Sequence, residues 1–232
     1  MSSIALPVPE QSKEAVSHGR LRELVADWSS DRQAFQVSWG KAMMWFFLLS
    51  DTFIFGCFLT SYMTVRSSTT VAWPNPSHVF ALNFGGTEVP LILIAIMTFV
   101  LITSSGTMAM AVNYAYRGDR MNAAALMFVT AAFGELFVSM QAFEWSKLIL
   151  EGVRPWGNPM GAAQFGSTFF MITGFHGLHV TAGVIYLIVI AIRLWRGHYE
   201  KSRNYQIVEI VGLYWHFVDL VWVFIFAFFY LW

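Results

Sequence analysis

The stretch FFMITGFHGLHVTAG, residues 169–183, places His176 and His179 in the middle of a long apolar run. A second polar pair, His216 and Asp219, lies in a similar run, within YWHFVDLVW at 214–222. Ionisable side chains are costly in hydrocarbon, so each of them needs a partner or a path to water. The function of the chain therefore depends on what these four side chains contact.

Five apolar runs are long enough to cross a membrane, which takes about 20 residues per helix. The 232 residues are 56% hydrophobic and 12% charged, well below the roughly 25% charged of a soluble domain. A bilayer core offers no water, so each run must satisfy its own backbone as a helix. We therefore predict an all-α membrane protein, a bundle of five helices at Trp39–Val65, Pro90–Asn113, Ala123–Trp145, Gly166–Trp195 and Ile207–Trp232.

The distribution of basic residues predicts the orientation of this bundle. Eleven of the fourteen lysines and arginines fall on the side of the N-terminus, which the positive-inside rule assigns to the cytoplasm. The C-terminus is then outside. Residues 1–38 are predicted as a cytoplasmic tail, partly disordered, with a candidate interfacial helix, and residues 39–232 as the membrane domain.

Composition excludes several functions. The formal net charge is zero, so whole-chain charge gives no case for nucleic-acid binding. The single cysteine, Cys57, lies in an apolar run, which leaves no disulfide within this chain and no cysteine-based metal site. The N-terminal residues lack the pattern of a removable signal peptide.

Four of the five runs carry ionisable residues into one central band. At 1.5 Å per residue, Asp51 and His216 lie roughly 15 Å from the inner ends of their helices, and Glu135 roughly 18 Å. The second run contributes only a small-residue packing face that includes Ser104 and Ser105. Glu144 lies near the outer interface, where water can reach it.

Three interpretations of these buried residues remain open. They form interhelical hydrogen bonds inside a bundle, they form a proton or lipid-headgroup contact site, or they ligate a redox metal such as copper or iron. A bis-histidine haem requires two facing histidines at one depth, and His179 and His216 differ by roughly 7 Å.

Two long motifs resemble a known family. Phe165–Val180, FGSTFFMITGFHGLHV, and Glu209–Trp232 resemble subunit III of cytochrome c oxidase and related haem–copper oxidases. Shorter matches are Arg193, the inner turn Gly118–Arg120 and the pattern QAxE at Gln141–Glu144. The resemblance covers about residues 39–232.

The resemblance implies a subunit without a redox centre, because the family's haem and copper belong to partner subunits. It implies packing against subunit I, association with subunit II and other subunits or a respiratory supercomplex, bound phospholipid, and support of proton uptake. The complex would reduce oxygen to water and pump protons in the bacterial plasma membrane. The alternatives are an accessory subunit of nitric oxide reductase and a subunit of a quinol oxidase.

Candidate lipid-binding residues follow from the same resemblance: Arg193, whose guanidinium suits a lipid phosphate, and, in the same cleft, His179 and Asp51. Asp51 stands where the family has glutamate. His176, His216, Asp219 and Glu135 are predicted as a structural polar network. Larger family members have two further N-terminal helices, so that wall of the lipid cleft is expected either to be missing or to be formed by another chain.

Overall fold

A computed structural model describes residues 38–84, 87–89, 91–199 and 205–231. It contains five long helices, each long and apolar enough to cross a membrane. The prediction of an all-α bundle of five spanning helices is therefore confirmed. The helices are α1 (Trp39–Ser68), α2 (Ile92–Tyr116), α3 (Arg120–Leu150), α4 (Gln164–Trp195) and α5 (Gln206–Phe226).

The chain divides into two compact units, Met1–Met43 and Met44–Trp232. In the described part of the first unit, residues 38–43, the Lys41 and Ala42 amides donate to the Ser38 carbonyl and begin α1. The rest of the predicted tail lies outside the described residues, as does its candidate interfacial helix. All of the following concerns the second unit.

The connection from α1 to α2 contains short elements of regular structure. It includes a short helical turn at Pro76–Val79 and an antiparallel pair of strands, β1 (Leu82–Phe84) and β2 (Thr87–Val89). The prediction that α2 starts at Pro90 is wrong by two residues, because Leu91 has the left-handed φ of 59° and the helix begins after it.

The centre of the bundle is an indole packed against glycines. Trp215 of α5 is 1% exposed, and its ring lies where a Cβ on Gly134 of α3 or Gly183 of α4 would be. Small residues at helix contacts allow close approach in membranes, where no hydrophobic driving force draws helices together. These two glycines therefore set how closely α3 and α4 approach α5.

The end of α5 is a wide turn. Residues Ala227–Leu231 continue α5 as a π-helix, and the consecutive residues Phe229 and Tyr230 are both buried. The Phe229 ring lies 4.1 Å, centroid to centroid, from that of Tyr62 on α1. The π-helical turn therefore packs the end of α5 against α1.

The five helices differ in how much of their surface the bundle covers. In the most apolar 18-residue segment of each helix, 17% of α1 is buried, against 33–56% of the other four helices. A helix with so little covered surface depends on a few specific contacts, and these are described below.

We predict that Gly134→Ala destabilises the bundle. The added Cβ would lie 2.5 Å from the Trp215 ring and 2.7 Å from a Val184 methyl, and overpacking of this kind costs about 1–3 kcal/mol. Gly106→Ala is the matched control, because nothing lies within 4 Å of its added Cβ. In thermal unfolding in detergent, the midpoint temperature should fall for Gly134→Ala and stay unchanged for Gly106→Ala. Equal midpoints would contradict the prediction.

Candidate functional site

A carboxylate and an imidazole meet between α1 and α4. His179 Nε2 lies 3.2 Å from Asp51 Oδ2, and Asp51 is only 4% exposed. The oxygen has no aligned hydrogen bond among the described residues, so the contact is electrostatic. The structure thus brings together two of the three residues predicted to bind lipid.

The other ring nitrogen of His179 bonds its own helix. His179 Nδ1 lies 2.8 Å from the Phe175 carbonyl oxygen, which can only accept, so Nδ1 carries a hydrogen. Nε2 is therefore the ring nitrogen that faces the Asp51 carboxyl group.

Aromatic rings enclose the pair. Phe55 of α1 packs on the His179 ring, with centroids 5.6 Å apart, and on Phe175 at 5.3 Å. On the side of α5, the Tyr214 hydroxyl donates to the His179 carbonyl oxygen at 2.9 Å. The contact between His179 and Asp51 is therefore part of what holds the loosely packed α1 to the bundle.

A seam of hydrogen bonds joins α2 to α5. Ser105 Oγ lies 2.6 Å from His216 Nδ1 and within reach of the Asp219 carboxyl. Two indole N–H groups donate to hydroxyls of α2 at 3.0 Å: Trp215, next to His216, donates to Ser104, and Trp222, six residues further along α5, donates to Thr98.

The sequence indicated the α5 side of this seam and not the α2 side. His216 and Asp219 contact another helix through a serine, on the helix that was expected to contribute only a packing face. Serine and threonine side chains are small and uncharged, so in a sequence they indicate only a packing face. Only the facing histidine, aspartate and tryptophans reveal them as hydrogen-bonding partners.

The burial of two glutamates on α3 is the reverse of the prediction. Glu144, expected to be wet, is 3% exposed and accepts hydrogen bonds from Gln141 Nε2 at 3.0 Å and from the Tyr230 hydroxyl at 3.2 Å. Glu135, predicted in the internal network, is exposed on the surface of the bundle. Each residue turns an α-helix by about 100°, so Glu135 lies one step off the buried stripe that contains Gly134 and Phe137.

His176 packs without hydrogen-bonding. It is 1% exposed, and neither ring nitrogen has a hydrogen-bond partner in the described part of the chain. Its ring stacks on Trp222 at 5.4 Å and meets the edge of Phe137 at 5.9 Å. The predicted polar network therefore divides: His216 and Asp219 take part in the seam, whereas His176 lies in an aromatic stack.

Arg193 stands apart from the other candidates. It is exposed in the last turn of α4, fourteen residues or about 21 Å along the helix from His179. That separation matches the distance from the middle of a bilayer to its headgroups. The structure thus separates Arg193, exposed at the end of α4, from the buried pair of His179 and Asp51.

An apolar groove of about 550 Å³ runs between α1 and α5. His216 is its one ionisable lining residue, and the walls are otherwise mostly leucine and phenylalanine, including Leu48, Leu59, Leu213 and Phe217. Acyl chains suit such a lining. Within residues 38–84, 87–89, 91–199 and 205–231, no three His, Cys, Asp or Glu side chains cluster as ligands of one metal ion.

We predict that Asp51 and His179 are energetically coupled. In a double-mutant cycle of Asp51→Ala and His179→Ala, the coupling free energy should be about 0.5–3 kcal/mol, measured by unfolding in detergent with rising SDS. Glu135→Ala with His179→Ala is the control pair, because Glu135 lies exposed on α3, and its effects should add. Additive effects for Asp51 and His179 would show that the contact contributes nothing.

Comparison with known proteins agrees with this arrangement. The family described as cytochrome c oxidase subunit III matches residues 22–232. A protein of Staphylococcus saprophyticus named probable quinol oxidase subunit 3 is 30% identical over 197 residues, which cover 85% of this chain and 90% of the relative. A protein of the same name from Staphylococcus aureus is 32% identical over 187 residues, covering 81% and 86%. The chain belongs to the cytochrome c oxidase subunit III family, the third subunit of the haem–copper oxidases.

Proposed function

We propose that this chain is the subunit III of a proton-pumping terminal oxidase and contributes no redox centre of its own. The family match over residues 22–232 carries this proposal. The contacts of the buried polar residues support it. His179 faces Asp51, and His216 hydrogen-bonds Ser105. These side chains join helices, and electron transfer is assigned to haem and copper in partner subunits.

The chain is a multi-pass protein of the bacterial plasma membrane, and as a subunit III it associates with other oxidase subunits such as subunit I. We further propose that its complex oxidises quinol. The Staphylococcus relatives, at 30% and 32% identity, carry quinol oxidase in their names. Cytochrome c oxidase and a nitric oxide reductase are the competing complexes.

A lipid role is the second part of the proposal. Arg193 is exposed where a helix end meets the headgroup region, and a guanidinium binds phosphate oxygens bidentately. The groove between α1 and α5 has an apolar lining suited to acyl chains. His179 and Asp51 contact each other deep in the bundle, so we assign them to holding α1 in place beside such a groove.

Co-purification tests the main proposal. A tagged chain isolated in mild detergent should bring haem-containing subunits with it, visible in the dithionite-reduced minus oxidised spectrum. The isolated complex should consume oxygen with quinol and not with reduced cytochrome c. A chain that purifies without haem, or with a core that reduces nitric oxide, would overturn the proposal.

Arg193 is expected to hold a phospholipid through its charge and its two donor groups. Arg193→Leu should remove about one phospholipid per chain, counted by mass spectrometry of the purified complex, and Arg193→Lys should remove part of it because a single ammonium binds phosphate less specifically. The exposed neighbour Arg196 provides the control Arg196→Leu. An unchanged lipid count in Arg193→Leu would refute the assignment.

A further inference from the structure

The groove between α1 and α5 is bounded near both ends by aromatic contacts. Towards the N-terminal ends of the two helices, the Phe47 and Tyr214 rings stack with their centroids 6.2 Å apart. Towards the C-terminal ends, Tyr62 packs on Phe229. Phe47 and Tyr62 are separated by about 22 Å along α1, at 1.5 Å per residue. The groove, of about 550 Å³, therefore has a limited length between two fixed contacts.

This groove opens on the surface of the bundle that faces lipid. Its floor includes the buried side chains of Leu48, Phe55 and Val221, and its rim includes Leu49 and Leu220, which are 55% and 53% exposed. Small-molecule sites have volumes of roughly 300–1,000 Å³ and combine apolar walls with a few polar groups. The groove is therefore large enough for a small molecule that enters from the bilayer.

The imidazole of His216 lines this groove and has one ring nitrogen to spare. Nδ1 lies 2.6 Å from Ser105 Oγ. Nε2 has no hydrogen bond within the described residues, and it is not among the polar atoms that are sealed from the surface. His216 lies roughly 15 Å along α5 from Gln206, half the thickness of a hydrocarbon core of about 30 Å. The groove thus offers a hydrogen-bonding atom at a depth where lipid has none.

The Ser105 hydroxyl allows this ring nitrogen to act as a donor or as an acceptor. A serine hydroxyl can both donate and accept, and a neutral imidazole carries its hydrogen on one nitrogen only. When Ser105 donates to Nδ1, Nε2 carries the hydrogen and can donate it. When Ser105 accepts from Nδ1, Nε2 is an acceptor. His216 can therefore bind either a carbonyl oxygen or a hydroxyl group in the same position.

These features distinguish between the molecules that could fill the groove. An acyl chain fits the walls, but a phospholipid keeps its polar groups in the headgroup region, far from Nε2 of His216. A spanning helix needs about 30 Å, which exceeds the roughly 22 Å between the two aromatic contacts. A prenylated quinol carries a ring with hydroxyl groups on a long apolar chain, and its oxidised form carries carbonyl oxygens instead. Both forms match an apolar groove with one imidazole at mid-depth.

We propose that the groove between α1 and α5 binds a prenylated quinol and its quinone, with a ring oxygen on His216 Nε2 and the prenyl chain along the apolar walls. This inference rests on the proposal that the complex oxidises quinol, and it adds a binding site for that substrate in this chain. The groove holds the quinol, and oxidation takes place at the partner subunits.

Photolabelling of the intact complex tests the site. A benzoquinone that carries a decyl chain and an azido group should label the parts of α1 and α5 that line the groove, and excess decylubiquinol should prevent this labelling. The matched probe is a phenyl azide with the same decyl chain and no ring oxygens, which should label the groove at least fivefold less. Equal labelling by the two probes would show a groove that accepts any apolar chain and would overturn the inference.

Variants of the complex separate recognition of the ring from folding. His216→Leu should lower labelling by the quinone probe at least tenfold. Ser105→Ala loses the same contact between α2 and α5 but keeps the imidazole, so it should retain most of the labelling. Labelling of His216→Leu at the wild-type level would contradict the proposal.

Filling the groove gives a test that leaves His216 in place. Leu220→Trp changes an exposed rim residue and should also lower labelling at least tenfold, because the indole occupies the groove. Leu136→Trp is the matched control, since Leu136 is 46% exposed on α3, and it should leave labelling unchanged. Equal labelling of the two tryptophan variants would overturn the site even if His216→Leu fails to assemble.

Oxygen consumption by the same preparation separates this site from the proposed function. If the complex needs reduced cytochrome c and the groove takes no label, the proposed function and the site both fail. If the complex consumes oxygen with quinol and the groove takes no label, only the site is overturned. Labelling that requires the ring oxygens supports the site with either electron donor.

Discussion

The structure depends largely on one constraint: in a medium without water, a polar side chain is costly unless another group bonds it. The hydroxyls of Ser104 and Ser105 meet Trp215 and His216, and Glu144 meets Tyr230. Each such bond restricts which faces of two helices can contact. Apolar side chains alone would permit many alternative packings, since lipid tails are as apolar as they are.

The same constraint explains why the helices differ in their attachment. α5 has polar bonds to α2 and α4 and, through the turn that follows it, to α3, and it is also the most covered span. α1 has the contact of Asp51 with His179 and a few aromatic contacts. A bundle built this way has a firm centre and one edge helix whose position rests on few residues.

Much of this could be predicted from the sequence. Run length and hydropathy are properties of single segments, so the five helices were predictable, and the resemblance identified the family to which the chain belongs. The helix phase around Glu135 and Glu144 was harder. A single step of about 100° decides between a buried and an exposed position, and both residues lie in runs that are apolar on every side.

Partners in space could not be read from one sequence. Ser105 shows no signal until His216 is known to face it, and Tyr230 shows none until Glu144 is known to face it. The short strands before α2 were also missed, because strands of three residues are too short to show the alternating pattern that identifies a strand. The sequence shows which polar groups need partners, and the fold shows which groups pair.

The wide π turn at Ala227–Leu231 has a consequence for biogenesis. Membrane helices are inserted in chain order, so α1 and α3 enter the bilayer well before Phe229 and Tyr230 have been synthesised. Until then Tyr62 and Glu144 lack the partners that cover them in the finished bundle. Until α5 is complete, the Glu144 carboxyl therefore has Gln141 of its own helix as its partner and lacks the hydroxyl of Tyr230.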